Sequence, residues 1–281
     1  MSDVIARVDA PRGGRLLRSG VSYEHIELRT GRVGELVLSR PEARNAMTPE
    51  MGAEVARAVT ELNACDELRA VLVRGAGKTF SAGGDFSLLE AKTGAPGETN
   101  RREMRAFYDL YLSIRDVHVP TIAVLHGAAI GAGLCFAMAC DIRLGAQGAK
   151  LGVTFVRVGL HPGMGASYLL PRLVGAGKAA ELLLTGRVID ADEACCIGLV
   201  NAVHPAEALL PAAHAMAEEI AGAAPIAVAQ AKATLARGAD LSLTEALERE
   251  AACQAIDYAS ADMAEAVAAF REKREPVFRA R

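Results

Sequence analysis

The chain has 281 residues, of which 51% are hydrophobic, and a formal net charge of −3. This length fits one large or two small domains with a sizeable core. The near-balanced charge gives no electrostatic basis for binding nucleic acid. The six cysteines form no CxxC pair and no Cys/His spacing suited to zinc. We therefore expect reduced thiols, no metal site and a cytoplasmic protein.

The first 20 residues are predicted to form a mobile tail. Asp3 and Asp9 interrupt them, and no apolar core region follows, which argues against a secretory signal peptide. Four arginines in this segment are a weak feature of transit peptides, but the same two aspartates count against that interpretation.

Short apolar and β-branched runs predict strands that alternate with helical patterns. Thr48 as N-cap and Pro49 at the first position predict the start of one helix. The polar, Gly- and Pro-containing segment 91–100 is predicted to be a loop. This alternation indicates an α/β domain. The predicted strands are 23–28, 33–38, 70–74, 121–125 and 142–144.

The sequence after His204 becomes Ala-rich and helical. Pro225 and a break at 238–240 divide it into about three predicted helices. Apolar faces on such short terminal helices often need a partner surface.

The stretch 117–140 contains no Asp, Glu, Lys or Arg. About 20 uncharged residues can span a bilayer, and the spacing of Gly127 and Gly131 matches a packing motif of transmembrane helices. Pro120 and several glycines interrupt the run, however. We therefore predict a buried strand, a glycine turn and a buried helix, and no membrane segment.

The same turn has two further interpretations. A dinucleotide fingerprint needs a small residue at its third position, where this chain has Phe136. Alternatively, glycines and the unpaired N–H groups of a helix start can bring hydrogen-bond donors to a carbonyl oxygen. Such donors stabilise an enolate or a tetrahedral oxyanion. A second Gly-rich turn, 80–85, could supply a second donor, although two ordinary tight turns remain an alternative.

These motifs resemble those of the crotonase (enoyl-CoA hydratase/isomerase) superfamily. The resemblance implies a crotonase-like ββα spiral core in residues 21–204, which holds the CoA pocket and an oxyanion hole. It also implies a C-terminal helical region, 205–281, that forms a homotrimer or a dimer of trimers. The implied ligand is an acyl-CoA thioester of fatty acid metabolism, with no separate cofactor. The matching segments keep the family's order and are 39–46, 80–85, 126–133, 139–143, 159–165, 171–175, 184–187, 194–203 and 269–278.

The resemblance also implies roles for particular residues. The backbone N–H groups of Gly84 and Ala132 would form the oxyanion hole. Phe270 and Lys273, on the last helix, would hold CoA, often from a neighbouring subunit. The other implied CoA-binding residues are Arg44, Ala46, Ala82, Gly83, Asp85 and Phe86.

The chain departs from its relatives at the acid–base positions. Cys135 and Phe155 stand where hydratases carry two glutamates, and Gly163 stands where some isomerases carry an aspartate. Adding water to an enoyl thioester needs a general base and a general acid. We therefore expect standard two-glutamate hydratase chemistry to be absent, with His161 or Cys135 as candidate catalytic helpers. His161 could equally be a turn histidine bonded to the backbone.

Three hypotheses follow for the function. The first is an enzyme that isomerises, hydrolyses or cleaves an acyl-CoA with the help of an oxyanion hole. The second is a non-catalytic acyl-CoA-binding protein that retains the pocket. The third is a structural subunit whose helices bind a catalytic partner.

Overall fold

A computed structural model describes residues 22–238 and 240–280. The predicted mobile tail, residues 1–20, lies outside the described residues. None of the helices in the described ranges combines the length and the apolar character that crossing a membrane requires.

Six strands form the main sheet, in the order β1-β2-β3-β4-β6-β9. The β1–β2 pair is antiparallel and every other pair is parallel. Helices cover both faces, so the central strands are almost completely buried, as in α/β proteins generally. The strand bounds are β1 Ile26–Arg29, β2 Val33–Leu38, β3 Ala70–Gly75, β4 Thr121–Leu125, β6 Ile142–Ala146 and β9 Ala202–His204.

The first strand begins three residues later than the predicted segment 23–28. The N–H groups of Glu24 and His25 donate to the carboxylate of Glu54, at 2.9 and 2.7 Å, instead of joining a strand ladder. The predicted start of that strand was therefore wrong, because a side chain satisfies these backbone groups.

A second sheet has three short strands in the order β5-β7-β8. Its members are β5 Ala129–Ile130, β7 Lys150–Gly152 and β8 Val188–Asp190. None of the three was predicted, because runs of two or three residues show no periodicity.

Ten α-helices lie within the described ranges. Thr48 caps the first as predicted, since its Oγ1 accepts from the N–H of Met51. The prediction of a loop over 91–100 was wrong at both ends. Glu98 lies in the first turn of α3 and pairs with Arg101, which stabilises a helix start there. The bounds are α1 Pro49–Asn63, α2 Phe86–Lys92, α3 Gly97–Leu112, α4 Ala132–Met138, α5 Ala166–Thr185, α6 Ala191–Cys196, α7 Ala206–Gly222, α8 Pro225–Gly238, α9 Leu243–Tyr258 and α10 Ala261–Glu272.

The described part of the C-terminal region contains four helices, α7 to α10, rather than about three. The additional break falls at Ser260, whose hydroxyl accepts from the N–H of Met263 and caps α10. The predicted domain boundary at 204–205 falls just before α7, which packs its buried side chains on one face of the main sheet.

The last three helices expose large apolar side chains. Leu235 is 80% exposed and Phe270 is 86% exposed. Formation of a trimer through this region stays a prediction. Other exposed apolar residues there are Leu243, Leu247, Ile256 and Val267.

Candidate active site

Two glycine turns approach each other at the carboxyl ends of β3 and β4. The first contains Gly83 and Gly84, and the second contains Gly131 and Ala132. Gly83 has φ +95° and Gly131 has φ +54°, a region that glycine enters at little cost. A Cβ on Gly83 would lie 2.7 Å from the carbonyl oxygen of Ile130 and 3.5 Å from the nitrogen of Ala132. Only glycine allows the two backbones to come this close.

Each turn contains a peptide N–H, that of Gly84 or that of Ala132, without an acceptor among the described residues. The carbonyl oxygen of Gly83 accepts from the N–H of Met47 at 2.8 Å, and the N–H of Asp85 donates to the carbonyl oxygen of Met47 at 3.0 Å. These two bonds fix the peptide groups on either side of Gly84. Ala132 is the first residue of α4, where no intrahelical acceptor exists for its N–H. No acceptor for the N–H of Gly84 or Ala132 occurs among the described residues.

A buried asparagine supports the first turn. Asn45 is fully buried, and its Nδ2 donates to the carbonyl oxygens of Ala76 and Thr79 at 2.9 and 2.7 Å. The Ser81 hydroxyl donates to the carbonyl oxygen of Asn45 and accepts from the N–H of Gly83. These bonds fix the backbone of the first turn, and the N–H of Ile130 donates to the carbonyl oxygen of Ser81 at 3.0 Å, which joins it to the second. Both residues lie inside matching motifs, 39–46 and 80–85, but this supporting role was not predicted from the sequence.

A cavity of about 660 Å³ opens beside the two turns. Its wall is predominantly apolar, with aliphatic and aromatic side chains from α2, α3 and the segment between β7 and α5. The lining residues are Ala82, Gly83, Gly84, Phe86, Leu88, Leu89, Glu90, Lys92, Thr93, Asn100, Met104, Phe107, Tyr108, Gly131, Ala132, Thr154, Phe155, Val158, Leu160, His161 and Met164.

Several of the predicted CoA-binding residues lie at or next to this wall. Ala82 and Gly83 line the cavity, and Phe86 does so with 76% of its surface exposed. Arg44 and Ala46 belong to the neighbouring turn and are not among the lining residues. The carbonyl oxygen of Arg44 accepts from the N–H of Ala82 at 3.0 Å, which joins that turn to the first glycine turn.

Asp85 is the N-cap of α2. Its carboxylate accepts from the N–H of Ser87 at 3.1 Å and lies 3.3 Å from the guanidinium of Arg40. Hydrogen bonding by Ser87, followed by the Arg40 charge, lowers the pKa of Asp85. Its side chain is not among those that line the cavity.

The two predicted residues of the last helix lie away from the cavity wall. Phe270 is near the end of α10, and Lys273 is its C-cap with φ 54°. Both side chains are exposed. Neither residue is among those that line the cavity of this chain.

The two candidate helpers have different environments. His161 lines the cavity, is exposed, and has Nδ1 2.9 Å from the carbonyl oxygen of Pro162. Cys135 is fully buried on α4, does not line the cavity, and donates through Sγ to the carbonyl oxygen of Gly163 at 3.6 Å. Burial raises the pKa of the Cys135 thiol well above its usual range, so the thiol is neutral at ordinary pH.

Other titratable side chains also face the cavity. Glu90 is the only carboxylate residue among the described lining residues, and Lys92 pairs with Glu103 outside the wall.

Tyr108, on α3, was not singled out from the sequence. The spacing of Met104, Tyr108 and Tyr111 would have placed them on one helix face, but not beside the glycine turns. Within the described ranges, no cluster of three His, Cys, Asp or Glu residues could hold a metal ion.

Comparison with known proteins agrees with the sequence resemblance. The sequence pattern of the enoyl-CoA hydratase/isomerase family matches residues 29–281. The chain is 38% identical to a probable enoyl-CoA hydratase of Mycobacterium tuberculosis over 259 residues, which cover 92% of this chain and 99% of that protein. It is 36% identical to the crotonyl-CoA hydratase of Syntrophomonas wolfei, over 92% of this chain and 99% of that protein.

Solved structures show the same fold. An enoyl-CoA hydratase from Bacillus anthracis superimposes with a TM-score of 0.86 at 33% identity, over 92% of this chain and all of that chain. One from Polaromonas also gives 0.86 at 33% identity, over 90% of this chain and 99% of that chain. The chain belongs to the enoyl-CoA hydratase/isomerase family and has the crotonase fold.

Proposed function

We propose that this protein binds an acyl-CoA thioester and stabilises an enolate or oxyanion at the thioester carbonyl. The N–H groups of Gly84 and Ala132 are the proposed donors. The supporting observation is that both N–H groups lack acceptors among the described residues and belong to facing turns at one cavity. Preorganised donors of this kind stabilise developing negative charge. The names of the relatives support CoA thioesters as the ligand class.

The cavity wall favours an apolar acyl group. Leu88, Met104, Phe107 and Leu160 surround the space next to the glycine turns. Burying an acyl chain against these side chains is favourable by roughly 0.8 kcal/mol for each CH₂ group. The CoA portion would then leave through the open side near Phe86, with Phe270 and Lys273 of a neighbouring subunit as proposed contacts in a trimer.

We do not expect this protein to hydrate enoyl-CoA efficiently by the two-glutamate mechanism. Phe155 contributes an apolar ring to the cavity wall, and Cys135 is a neutral thiol in the core. Neither side chain can act as a carboxylate acid or base. We propose an enolate-forming reaction of another type, such as isomerisation, thioester hydrolysis or C–C cleavage.

A second candidate is a non-catalytic acyl-CoA-binding protein. The scarcity of carboxylates at the wall favours it, because Glu90 is the only one among the described lining residues and its side chain is exposed. Such a protein would retain the pocket and the donors but would transfer no proton.

Replacing Ala132 with proline separates the two candidates. Proline removes one N–H and is tolerated at the first position of a helix. The preceding Gly131 has ψ −122°, outside the α region that proline disfavours in its neighbour. An enzyme should lose about 10²–10³-fold in turnover, because one such donor contributes about 2.7–4 kcal/mol to a developing oxyanion. A carrier should lose affinity only several-fold, since a bond to a neutral carbonyl contributes about 0.5–1.5 kcal/mol.

The assays are calorimetric binding of hexanoyl-CoA and turnover of a small acyl-CoA panel. Ala261→Pro is the matched control, because Ala261 is exposed and occupies the same position at the start of α10 after a Ser260 cap. A folded Ala132→Pro protein that binds and turns over acyl-CoA like the parent would contradict the oxyanion-hole assignment. A parent protein that binds no acyl-CoA would contradict the proposed function itself.

A further inference from the structure

The Tyr108 hydroxyl occupies the place next to Gly163 that a side chain would fill. A Cβ built on Gly163 would lie 2.5 Å from the Tyr108 oxygen and 3.0 Å from its Cζ. Tyr108 is half-buried and lines the cavity together with Gly84 and Ala132. Its hydroxyl has no hydrogen-bond partner in the part of the chain that the structure describes. A polar group in this position is available to a ligand.

Cys135 lies on the other side of the same region. Its Sγ donates to the carbonyl oxygen of Gly163. Burial raises the pKa of Tyr108 above its usual value. The phenol therefore stays protonated at neutral pH and can act as a donor. Position 163 therefore adjoins a protonated phenolic O–H.

We propose that Tyr108 donates the proton that the α-carbon of the bound thioester enolate receives. This inference rests on the proposed function, because it requires an enolate held by Gly84 and Ala132. The Tyr108 O–H bond breaks, the enolate electron pair forms an α-C–H bond, and the thioester carbonyl is restored. The phenolate then takes a proton from a water molecule at the cavity opening and leaves hydroxide in solution.

Tyr108 suits this step better than the other ionisable groups around the cavity. Cys135 is enclosed in the core, and Lys92 is paired with Glu103. His161 and Glu90 reach the wall from exposed positions. Of these groups, only Tyr108 combines a half-buried position, contact with the cavity and direct contact with the position of residue 163.

The test is exchange of the α-protons of hexanoyl-CoA in deuterated buffer, followed by proton NMR. Exchange is the reverse of the proposed step, so it requires the Tyr108 phenolate. The fraction of phenolate rises about tenfold per pH unit below the pKa. The enzyme-dependent rate should therefore rise about tenfold per unit between pH 7 and pH 9, whereas a carboxylate base would give a nearly constant rate in that range.

Tyr108→Phe should lower the exchange rate about 10²–10⁴-fold, the usual contribution of a positioned acid or base, without weakening hexanoyl-CoA binding by more than a few-fold. Tyr111→Phe is the matched control one turn further along α3. The Tyr111 hydroxyl donates to the carbonyl oxygen of Thr48 at 2.7 Å, so its loss should lower the melting temperature but leave the pH profile of exchange unchanged.

A double variant tests the position directly. Gly163 does not have a left-handed backbone conformation, so the obstacle to a side chain there is Tyr108 itself. Tyr108→Ala combined with Gly163→Asp should recover part of the exchange and make it nearly independent of pH above about pH 6. Tyr108→Ala alone should stay inactive.

The possible outcomes distinguish failure of the role proposed for Tyr108 from failure of the proposed function. Equal exchange by the parent and Tyr108→Phe would overturn the role of Tyr108 and leave the oxyanion hole in place. Binding of hexanoyl-CoA by the parent without any exchange would overturn it as well and favour a carrier. No binding at all would overturn both the proposed function and this inference.

Discussion

Replacing Gly83 with alanine should disturb both glycine turns at once. The backbone at Gly83 has φ +95°, and a Cβ there would lie 2.7 Å from the carbonyl oxygen of Ile130. That oxygen belongs to the backbone of the second turn, so rotation of a side chain cannot relieve the contact. The two turns must move apart, and with them the N–H groups of Gly84 and Ala132.

The size of the effect follows from this geometry. A non-glycine residue in a strained backbone region costs on the order of 1–3 kcal/mol, and the close contact adds to this. A total of about 3 kcal/mol corresponds to a fall in melting temperature of roughly 6–12 °C for a chain of this size. A displacement of about 1 Å at a catalytic group can lower the rate about 10²-fold. Both stability and turnover should therefore fall.

Gly84→Ala is the matched stability control. Gly84 does not have a left-handed conformation, and a Cβ there would meet nothing within 4 Å. This substitution should change the free energy of unfolding by less than about 1 kcal/mol. Thermal melts at one protein concentration, together with calorimetric titration with hexanoyl-CoA, compare the two variants. A Gly83→Ala protein as stable as the parent and equal in binding and turnover would refute the argument that these turns must touch.

Three further predictions concern other parts of the chain. A hydrogen bond from His214, with the charges of nearby arginines, lowers the pKa of Glu35 to about 2. Because the folded-state pKa lies below the unfolded value of about 4.5, this stabilisation is complete above pH 4.5 and is lost as the pH falls towards 2. Glu35→Gln should therefore cost about 3 kcal/mol at pH 7, and urea unfolding should show the difference shrinking in acid; a constant difference would contradict this. The proposed absence of the two catalytic glutamates, at Cys135 and Phe155, predicts that hydration of crotonyl-CoA is at least about 10²-fold slower than by the Syntrophomonas wolfei crotonyl-CoA hydratase assayed in parallel; comparable rates would contradict it. Lys273→Glu should weaken acyl-CoA binding several-fold without unfolding the protein, and an unchanged affinity in titration would exclude Lys273 from the CoA site.

The central strands could be predicted from sequence because they are buried on both faces. Segments 70–73 and 121–125 are continuous apolar or β-branched runs bounded by arginines in the first case and by Pro120 and His126 in the second. The start of β1 could not be predicted, because Glu54, about 30 residues further on, competes for its N–H groups. The short strands β5, β7 and β8 depend on packing between distant segments and have no local pattern.

The candidate site was predictable only in its backbone part. Glycines beside a strand end predict a close backbone approach. The resemblance to the family then predicted that the N–H groups of Gly84 and Ala132 act together as donors. The side chains around them depend on how α3 packs over the turns. Tyr108 is 55 residues before Gly163 in the sequence, and no local pattern relates the two positions. The cavity that brings them together is a property of the fold.

A crystal structure with bound hexanoyl-CoA would test the central claim most directly. The predicted result is a thioester oxygen about 2.7–3.1 Å from the backbone nitrogens of both Gly84 and Ala132, with the acyl chain in the cavity beside Phe107. A thioester oxygen bound elsewhere, with these two N–H groups pointing to solvent or to another group, would contradict it.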